Sequence, residues 1–351
     1  MVERLTVTSD VENVEIDVER AADVLRAGGL VAFPTETVYG LGADAASPDA
    51  VRRLFAVKCR PVEHPVIVHL AQADAIDGWA AEVSDDARAL AAACWPGALT
   101  IVVRRAAHVL DEVTGGLDTV GLRVPDQPVA LALLERFAGG IAAPSANRFG
   151  NVSPTTADAV RSELGVDVDL VLDGGPCVVG VESTIVDCSR VANGDGDDVA
   201  ILRVGGIARE QIEALLGRAI TLHTTGDGAR RAPGTLASHY APRARVELTT
   251  GDELTQRVAD ATAVGARVGI IGLRDAVSQA GGVSAAGGPA VDDVCVLVAP
   301  RDHDEYARVL YAALRDADAR GLDVVIAVPP SDEGLGAAVA DRLRRAAAPR
   351  P

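Results

Sequence analysis

The run Leu30-Val31-Ala32-Phe33-Pro34-Thr35-Glu36-Thr37-Val38-Tyr39-Gly40-Leu41-Gly42 decides the architecture. Its first four residues are apolar and read as a buried strand, and from Pro34 the chain becomes a loop of hydroxyls and glycines. A helix over Asp17 to Ala27, capped by Asp17 and stopped by Gly28-Gly29, is expected before it. Ser47-Pro48 then supplies an N-cap and a first helical residue for a helix running to Lys58. Helix, buried strand, polar loop, helix is the repeating unit of an open α/β sheet, in which ligands gather at strand ends.

Farther out, Val66 to Leu70, Leu99 to Arg104, Val120 to Val124, Ile141 to Ala143, Val168 to Leu172, Ser183 to Asp187 and Ile201 to Val204 read as strands. Helical stretches at 84–94, 127–137 and 155–164 separate several of them, and the economical fold is a mixed α/β sheet. From Val246 onward, strands at 246–249, 267–273, 294–299 and 323–328 alternate with helices at 252–263, 303–320 and 332–347, the pattern of a smaller, doubly wound parallel sheet. The expected division is a larger domain over 1–207, a connector over 208–243 and a second domain over 244–351, with 281–289 a Gly/Ala/Ser loop.

Composition agrees with this plan. A chain of 351 residues is long enough for two cores. With 48% apolar but only 3% aromatic residues, those cores must be aliphatic, as suits buried parallel strands. A net charge of −17 opposes a protein that grips nucleic acid or an anionic membrane over a broad surface, so weak or no direct nucleic-acid binding is expected. Five scattered cysteines without a CxxC pair indicate neither a disulfide framework nor a zinc site, and no metal site is expected. The opening Met1-Val2-Glu3-Arg4-Leu5 lacks a signal-peptide core and no run is long enough for a membrane span, so the expectation is a cytoplasmic protein off the membrane.

Five clusters carry candidate chemistry. The first is the quoted loop, which can grip a small polar ligand or be an ordinary strand-to-helix turn. The second, Lys58-Cys59-Arg60-Pro61 with His69 at the end of the next strand, contains the sole lysine among 33 Lys and Arg residues. A point charge and a planar fork two residues apart suit a polyphosphate, although two cations at a helix end can equally answer its dipole. Third, Arg123 lies inside the apolar strand Gly121-Leu122-Arg123-Val124, where it must point outward or hold an anion, or else pair structurally with an acid. The fourth, Ala143-Pro144-Ser145-Ala146-Asn147 through Ser153-Pro154-Thr155, can approach phosphates closely or can cap a helix at Thr155. Fifth come Asp173-Gly174-Gly175, Gly180-Val181-Glu182-Ser183-Thr184 and Leu202-Arg203, readable also as a hairpin with a polar turn. No GxxxxGK[ST], HExxH or GxSxG pattern occurs, which removes support for P-loop, zinc-protease and elbow-hydrolase chemistry. The residues alone lead as far as a pocket for an anionic small molecule.

In this order and spacing the five clusters resemble the YrdC-domain family, over residues from Asp17 to Arg203. Pro233-Gly234, Ser238-His239-Tyr240-Ala241-Pro242 and the α/β tail resemble the long, two-domain threonylcarbamoyl-AMP synthases of that family. The resemblance implies an open twisted YrdC-like catalytic domain and a smaller Rossmann-like domain, joined by a linker able to cover the pocket. It also implies an enzyme that makes threonylcarbamoyl-AMP and pyrophosphate from L-threonine, bicarbonate and ATP, for threonylcarbamoyladenosine in tRNA. Mg2+ would arrive with ATP, with no permanently bound cofactor, and a tRNA-modification transferase complex would take the product.

Residue by residue, the family's pattern puts Thr35, Thr37, His69, Arg123, Ala143 (through its backbone) and Ser183 on threonine. Lys58, Arg60, His64, Thr119, Ser145, Asn147, Ser153, Arg203 and Tyr240 fall on ATP, Lys58 and Arg60 also being catalytic through charge. The chain departs from the pattern at His64, where Asn is usual, at Cys59 for Gly, at Ala98 for Pro and at Val204 for Pro. Two other readings stay open at this point: an RNA-binding YrdC-like module without turnover, and an enzyme forming carbamoyl-adenylate from carbamoyl phosphate.

Overall fold

The computed structural model describes residues 11–190, 199–223, 240–279 and 293–349, of which 11–16 and 279 are described for backbone only. Pro233, Gly234, Ser238, His239 and the loop over 281–289 lie outside the described residues.

The first part of the chain runs α1 (Val11–Arg26), β1 (Val31–Phe33), β2 (Gly40–Asp44), α2 (Pro48–Lys58), β3 (Ile67–His69), α3 (Ile76–Trp79), β4 (Ala80–Glu82), α4 (Asp85–Cys94) and β5 (Leu99–Arg105). It continues through α5 (Asp111–Thr114), β6 (Thr119–Arg123), α6 (Pro128–Phe137), β7 (Ile141–Ala142), α7 (Ala157–Leu164), β8 (Leu170–Val171), β9 (Thr184–Asp187), β10 (Ala200–Arg203), α8 (Arg209–Leu216) and β11 (Thr221–Leu222). The strands make one 11-stranded mixed sheet in the order β11-β10-β9-β5-β6-β3-β7-β2-β1-β8, with β4 pairing with β5. The expected α/β class and the mixed sheet are borne out.

Local chemistry explains several of these elements. Ser47 caps α2, accepting from the Ala50 N–H, and Pro48 occupies the first turn. Gln127 and Thr156 cap α6 and α7 in the same way, so the cap of α7 is Thr156 and not Thr155. Asp17, expected as a cap, sits inside α1, which begins earlier, at Val11. Gly28 ends that helix with φ 79°, a backbone state that only glycine adopts without strain. Gly40 to Asp44, expected as loop, is a strand. It lies antiparallel to β1 with Val31 opposite Gly42, where an added Cβ would meet Ile141 Cγ2 at 2.8 Å and Phe33 Cε1 at 2.9 Å. Glycine there admits the neighbouring side chains.

The second part comprises β12 (Arg245–Leu248), α9 (Leu254–Ala263), β13 (Val268–Ile271), α10 (Arg274–Gln279), β14 (Val294–Val298), α11 (His303–Ala319), β15 (Val324–Ala327) and α12 (Leu335–Ala347). Its sheet has the order β12-β15-β13-β14 with every pairing parallel, as the alternating pattern implied. By packing, the chain divides into two compact units: Met1–Phe149 with Ser153–Val178 and Glu182–Thr235, and Gly150–Val152 with Val179–Val181 and Leu236–Pro351. Two short pieces of the sequence's first part thus pack with the second unit. Among the described residues, no helix is long and apolar enough to cross a membrane.

Candidate active site

The register of the first sheet assembles the site. His69 pairs with Arg123 across β3 and β6, Thr100 with Ile185 across β5 and β9, and Ile185 with Arg203 across β9 and β10. Because Ile101 faces Leu122 in the antiparallel β5–β6 pair, Thr100 falls opposite Arg123 one step on. Residues directly paired across strands share a face. His69, Arg123, Thr100, Ile185 and Arg203 therefore form one row across five strands, although they come from positions 69 to 203 of the chain. Ile67 and Gly121, two residues before His69 and Arg123, lie on the same face, and Ile185 of the row forms a small apolar cluster with Ile67 and Leu202.

Within the row, Arg123 is only 4% exposed. Its Nη2 lies 2.7 Å from Glu36 Oε1, an equally buried carboxylate of the loop after β1, and its Nε donates to Gly97 O at 3.2 Å. Of the readings left open for this arginine, the structure displays pairing with an acid and not an outward-pointing side chain. Losing one partner of so buried a pair leaves an uncompensated charge and costs about 3–5 kcal/mol. Ser183 Oγ lies 2.7 Å from Thr100 Oγ1 and accepts from Arg203 Nη2 at 3.1 Å, while Arg203 also donates to the Ser183 carbonyl through Nε and Nη2. A residue expected on threonine and one expected on ATP are thus directly bonded.

His69 packs edge-on against the Phe33 ring, with centroids 5.8 Å apart. Burial, and then the Arg123 charge, push its pKa down to about 3, so the ring is neutral at pH 7. In the loop after β1, Thr35 Oγ1 lies 2.8 Å from Thr37 Oγ1, donates to Val38 O at 2.6 Å and accepts from the N–H groups of Thr37 and Val38. This self-bonded turn fixes the backbone that carries Glu36. Ala143 N donates to Ile67 O at 2.9 Å, so the backbone group it can offer a ligand is its carbonyl.

The second constellation gathers at the end of α2. Lys58, the last residue of that helix, is 2% exposed and points its Nζ at the carbonyls of Ser145 and Asn147. Burial, and secondarily the neighbouring Arg60, hold its pKa well below the ordinary lysine value. Cys59 takes the left-handed conformation at φ 52°, ψ 39°, and this turn delivers Arg60 back over the Phe55 and Phe149 rings at 5.9 and 5.6 Å. The Phe149 ring also meets His64, centroids 5.4 Å apart, so Phe149 holds two candidate residues together. Gly40 bridges Ser145, and Tyr39 accepts from the Ala146 N–H while donating its own to Pro154 O, tying the first and fourth clusters together. Asn147 is buried, and its Nδ2 donates to Arg148 O at 2.8 Å. Ser153 Oγ donates to Glu182 Oε1 at 2.7 Å, both side chains being buried.

Thr119 opens β6, on the face of Arg123 and four residues from it, roughly 13 Å along the strand. Tyr240 belongs to the second unit, where it is 1% exposed with φ 62°. Its ring stacks on Tyr311 at 5.7 Å and lies 5.0 Å from the guanidinium carbon of the fully buried Arg342. Sequence reasoning passed over Glu36, Thr100, Phe149 and Glu182 as side chains with a part in the site. Glu36 and Glu182 lay inside quoted clusters, but their roles depend on partners 87 and 29 residues away. Among the described residues, no group of three or more His, Cys, Asp or Glu side chains is placed to hold a metal ion. The thiol of Cys177, near Glu36, is pushed up to about 12 by burial first and by that carboxylate second, which makes it a poor nucleophile.

Comparison with known proteins bears on this geometry. Residues 23–205 match the model of the Sua5/YciO/YrdC family, whose description reads telomere recombination, and residues 207–348 match that of the threonylcarbamoyl-AMP synthase C-terminal domain. The chain is 39% identical over 336 residues to a threonylcarbamoyl-AMP synthase of Pyrococcus abyssi, covering 93% of this chain and 92% of the relative. It is 37% identical over 350 residues to the Bacillus subtilis protein of the same name, covering 98% and 96%. A crystal structure of P. abyssi Sua5 complexed with L-threonine superposes with a TM-score of 0.83 at 38% identity, covering 95% of this chain and 94% of that one. A variant of the same protein with a His-Tyr pair changed to alanine gives 0.86 at 36% identity, covering 99% and 96%. The chain belongs to the Sua5/YciO/YrdC family, in the two-domain form that carries the threonylcarbamoyl-AMP synthase C-terminal domain.

Proposed function

We infer that the chain is an L-threonylcarbamoyladenylate synthase, an ATP-dependent nucleotidyltransferase serving tRNA modification. The observation that carries this reading is the single register row that places His69 and Arg123 on the same face as Arg203, beside the Ser183–Thr100 hydroxyl pair, in a chain similar to such synthases over nearly its whole length.

On this reading Arg123, His69, Thr35, Thr37, Ser183 and the Ala143 backbone hold L-threonine. Lys58, Arg60, His64, Thr119, Ser145, Asn147, Ser153, Arg203 and Tyr240 hold ATP. The threonine amine forms a bond to the carbon of bicarbonate and water leaves, giving a carbamate. A carbamate oxygen then attacks the α-phosphorus of ATP, the bond to the β-phosphate bridge breaks, and pyrophosphate departs. Lys58 and Arg60 oppose the charge that gathers on the phosphate oxygens. No residue is asked to be a covalent nucleophile, and the acceleration comes from orientation and electrostatics. Magnesium comes and goes with the nucleotide. The product's reactive carbonyl is passed to a transferase complex that modifies tRNA.

The test is pyrophosphate release by purified protein given ATP, magnesium and bicarbonate, with and without L-threonine, the nucleotide product being identified by mass. Release is expected to require both threonine and bicarbonate, and Lys58→Ala is expected to lower it by about a hundredfold or more. A folded, ATP-binding sample that releases none counts against the reading. Release driven by carbamoyl phosphate would point instead to a carbamoyl-adenylate enzyme.

A further inference from the structure

Glu36 has no part in the assignments above, yet it is the acid paired with Arg123 of the row. Its side chain is 5% exposed, and its Oε1 lies 2.7 Å from Arg123 Nη2. Beyond that ionic contact, neither of its carboxylate oxygens accepts a hydrogen bond among the described residues. The adjacent hydroxyls do not fill the gap, because Thr35 and Thr37 bond to each other and to their own backbone. A carboxylate removed from water with open acceptor positions is unfavourable unless a donor arrives with a ligand.

We propose that Glu36 receives the α-ammonium group of the amino-acid substrate, so that Glu36 and Arg123 together read the two charges of a zwitterion. The proposal rests on the function inferred above. An α-amino acid carries its carboxylate and ammonium on one carbon, and a guanidinium with an adjacent buried carboxylate is the complementary pair. Substrate entering between them exchanges one ion pair for two, leaving no net charge stranded. A ligand lacking the amine leaves the open oxygens of Glu36 unanswered, so the pair selects amino acids over the corresponding hydroxy acids. The rival role for Glu36 is to hold Arg123 in place, and it makes no such distinction.

The experiment is calorimetric binding, without ATP, of L-threonine and of the 2,3-dihydroxybutyrate that carries a hydroxyl in place of the amine. Wild type is expected to prefer threonine by about ten- to a hundredfold, the scale of one charge-assisted hydrogen bond. In Glu36→Gln the threonine affinity is expected to fall by about that factor while the hydroxy acid is little changed, so the preference collapses. Equal weakening of both ligands, or unchanged threonine binding, overturns the proposal and leaves the inferred function standing. Failure of folded wild-type protein to bind threonine overturns both. A thermal melt and ATP binding verify that the variant is folded. If Glu36→Gln does not fold, Glu36→Asp, which keeps the charge, must retain the preference for the amine, and its loss there also overturns the proposal.

Discussion

His69 is the residue whose environment has the plainest consequence for stability. It is 3% exposed, beside Arg123, with its pKa pushed from the ordinary 6.5 to about 3. Between those values the unfolded chain binds a proton that the folded chain refuses. Its contribution is therefore complete above pH 6.5 and is lost as pH falls toward 3. The slope reaches at most about 1.4 kcal/mol per pH unit for one proton. Urea unfolding of the wild type between pH 4.5 and 7 is expected to show stability falling with acidity, and His69→Gln is expected to flatten the curve by up to that slope. A variant curve parallel to the wild type would place the acid sensitivity in other groups. A neutral imidazole also suits the proposed function, because a second fixed cation next to Arg123 would oppose it over one substrate carboxylate.

At the scale of elements, α2 shows how a departure from a family's pattern acquires a physical meaning. The helix ends with the Cys59 N–H bonded to Ala56 O and the Arg60 N–H to Phe55 O, a closure that requires the left-handed state at Cys59. That is the reason for the Gly usual at this place, and a cysteine side chain makes the same turn at a steric cost. Cys59→Gly is expected to stabilise the first unit by about 0.5–1 kcal/mol and to raise its thermal midpoint by about 1–3 °C, with turnover retained. A lowered midpoint would mean that the exposed cysteine makes a contact worth more than the strain. The cap at Ser47, the stop at Gly28 and the buried strand after it were legible in sequence because each is a local signal of a few residues. Asp17 misled because α1 begins at Val11, with Val11 and Val14 already in helical spacing with Val18, so the acid falls within the helix and not at its start. The strand Gly40–Asp44 was hidden by its composition, Gly-Leu-Gly-Ala-Asp, which lacks the β-branched residues that mark strands and owes its place to neighbours packing over the glycines.

For the whole molecule, the site was legible as a set of residue types in order, and illegible as an arrangement. Lys58 could be singled out as the chain's sole lysine, Arg123 as a cation inside an apolar strand that demands an explanation, and Arg203 as the end of the fifth cluster. That Arg123 would meet Glu36, or that Ser183 would bond both Thr100 and Arg203, is a product of strand order, and no short-range pattern encodes the order β10-β9-β5-β6-β3. The same arrangement bears on partners. The cations of the site, Lys58, Arg60, Arg123 and Arg203, are 2%, 8%, 4% and 6% exposed, so they offer charge to a ligand that enters and little to a polymer passing outside. The surface outside the site carries the balance of a chain with net charge −17. Nucleic-acid affinity is driven largely by basic surface and counterion release, which a net charge of −17 opposes. Filter binding of tRNA at 150 mM salt is therefore expected to show no saturation up to about 10 μM protein, and any retention at 50 mM salt is expected to fall by at least about tenfold at 200 mM. Saturable binding that resists salt would mean that the chain holds tRNA itself, and the transfer would no longer need to be assigned to a separate complex. Weak, salt-sensitive binding fits the proposed function, in which a small adenylate would be handed to another protein.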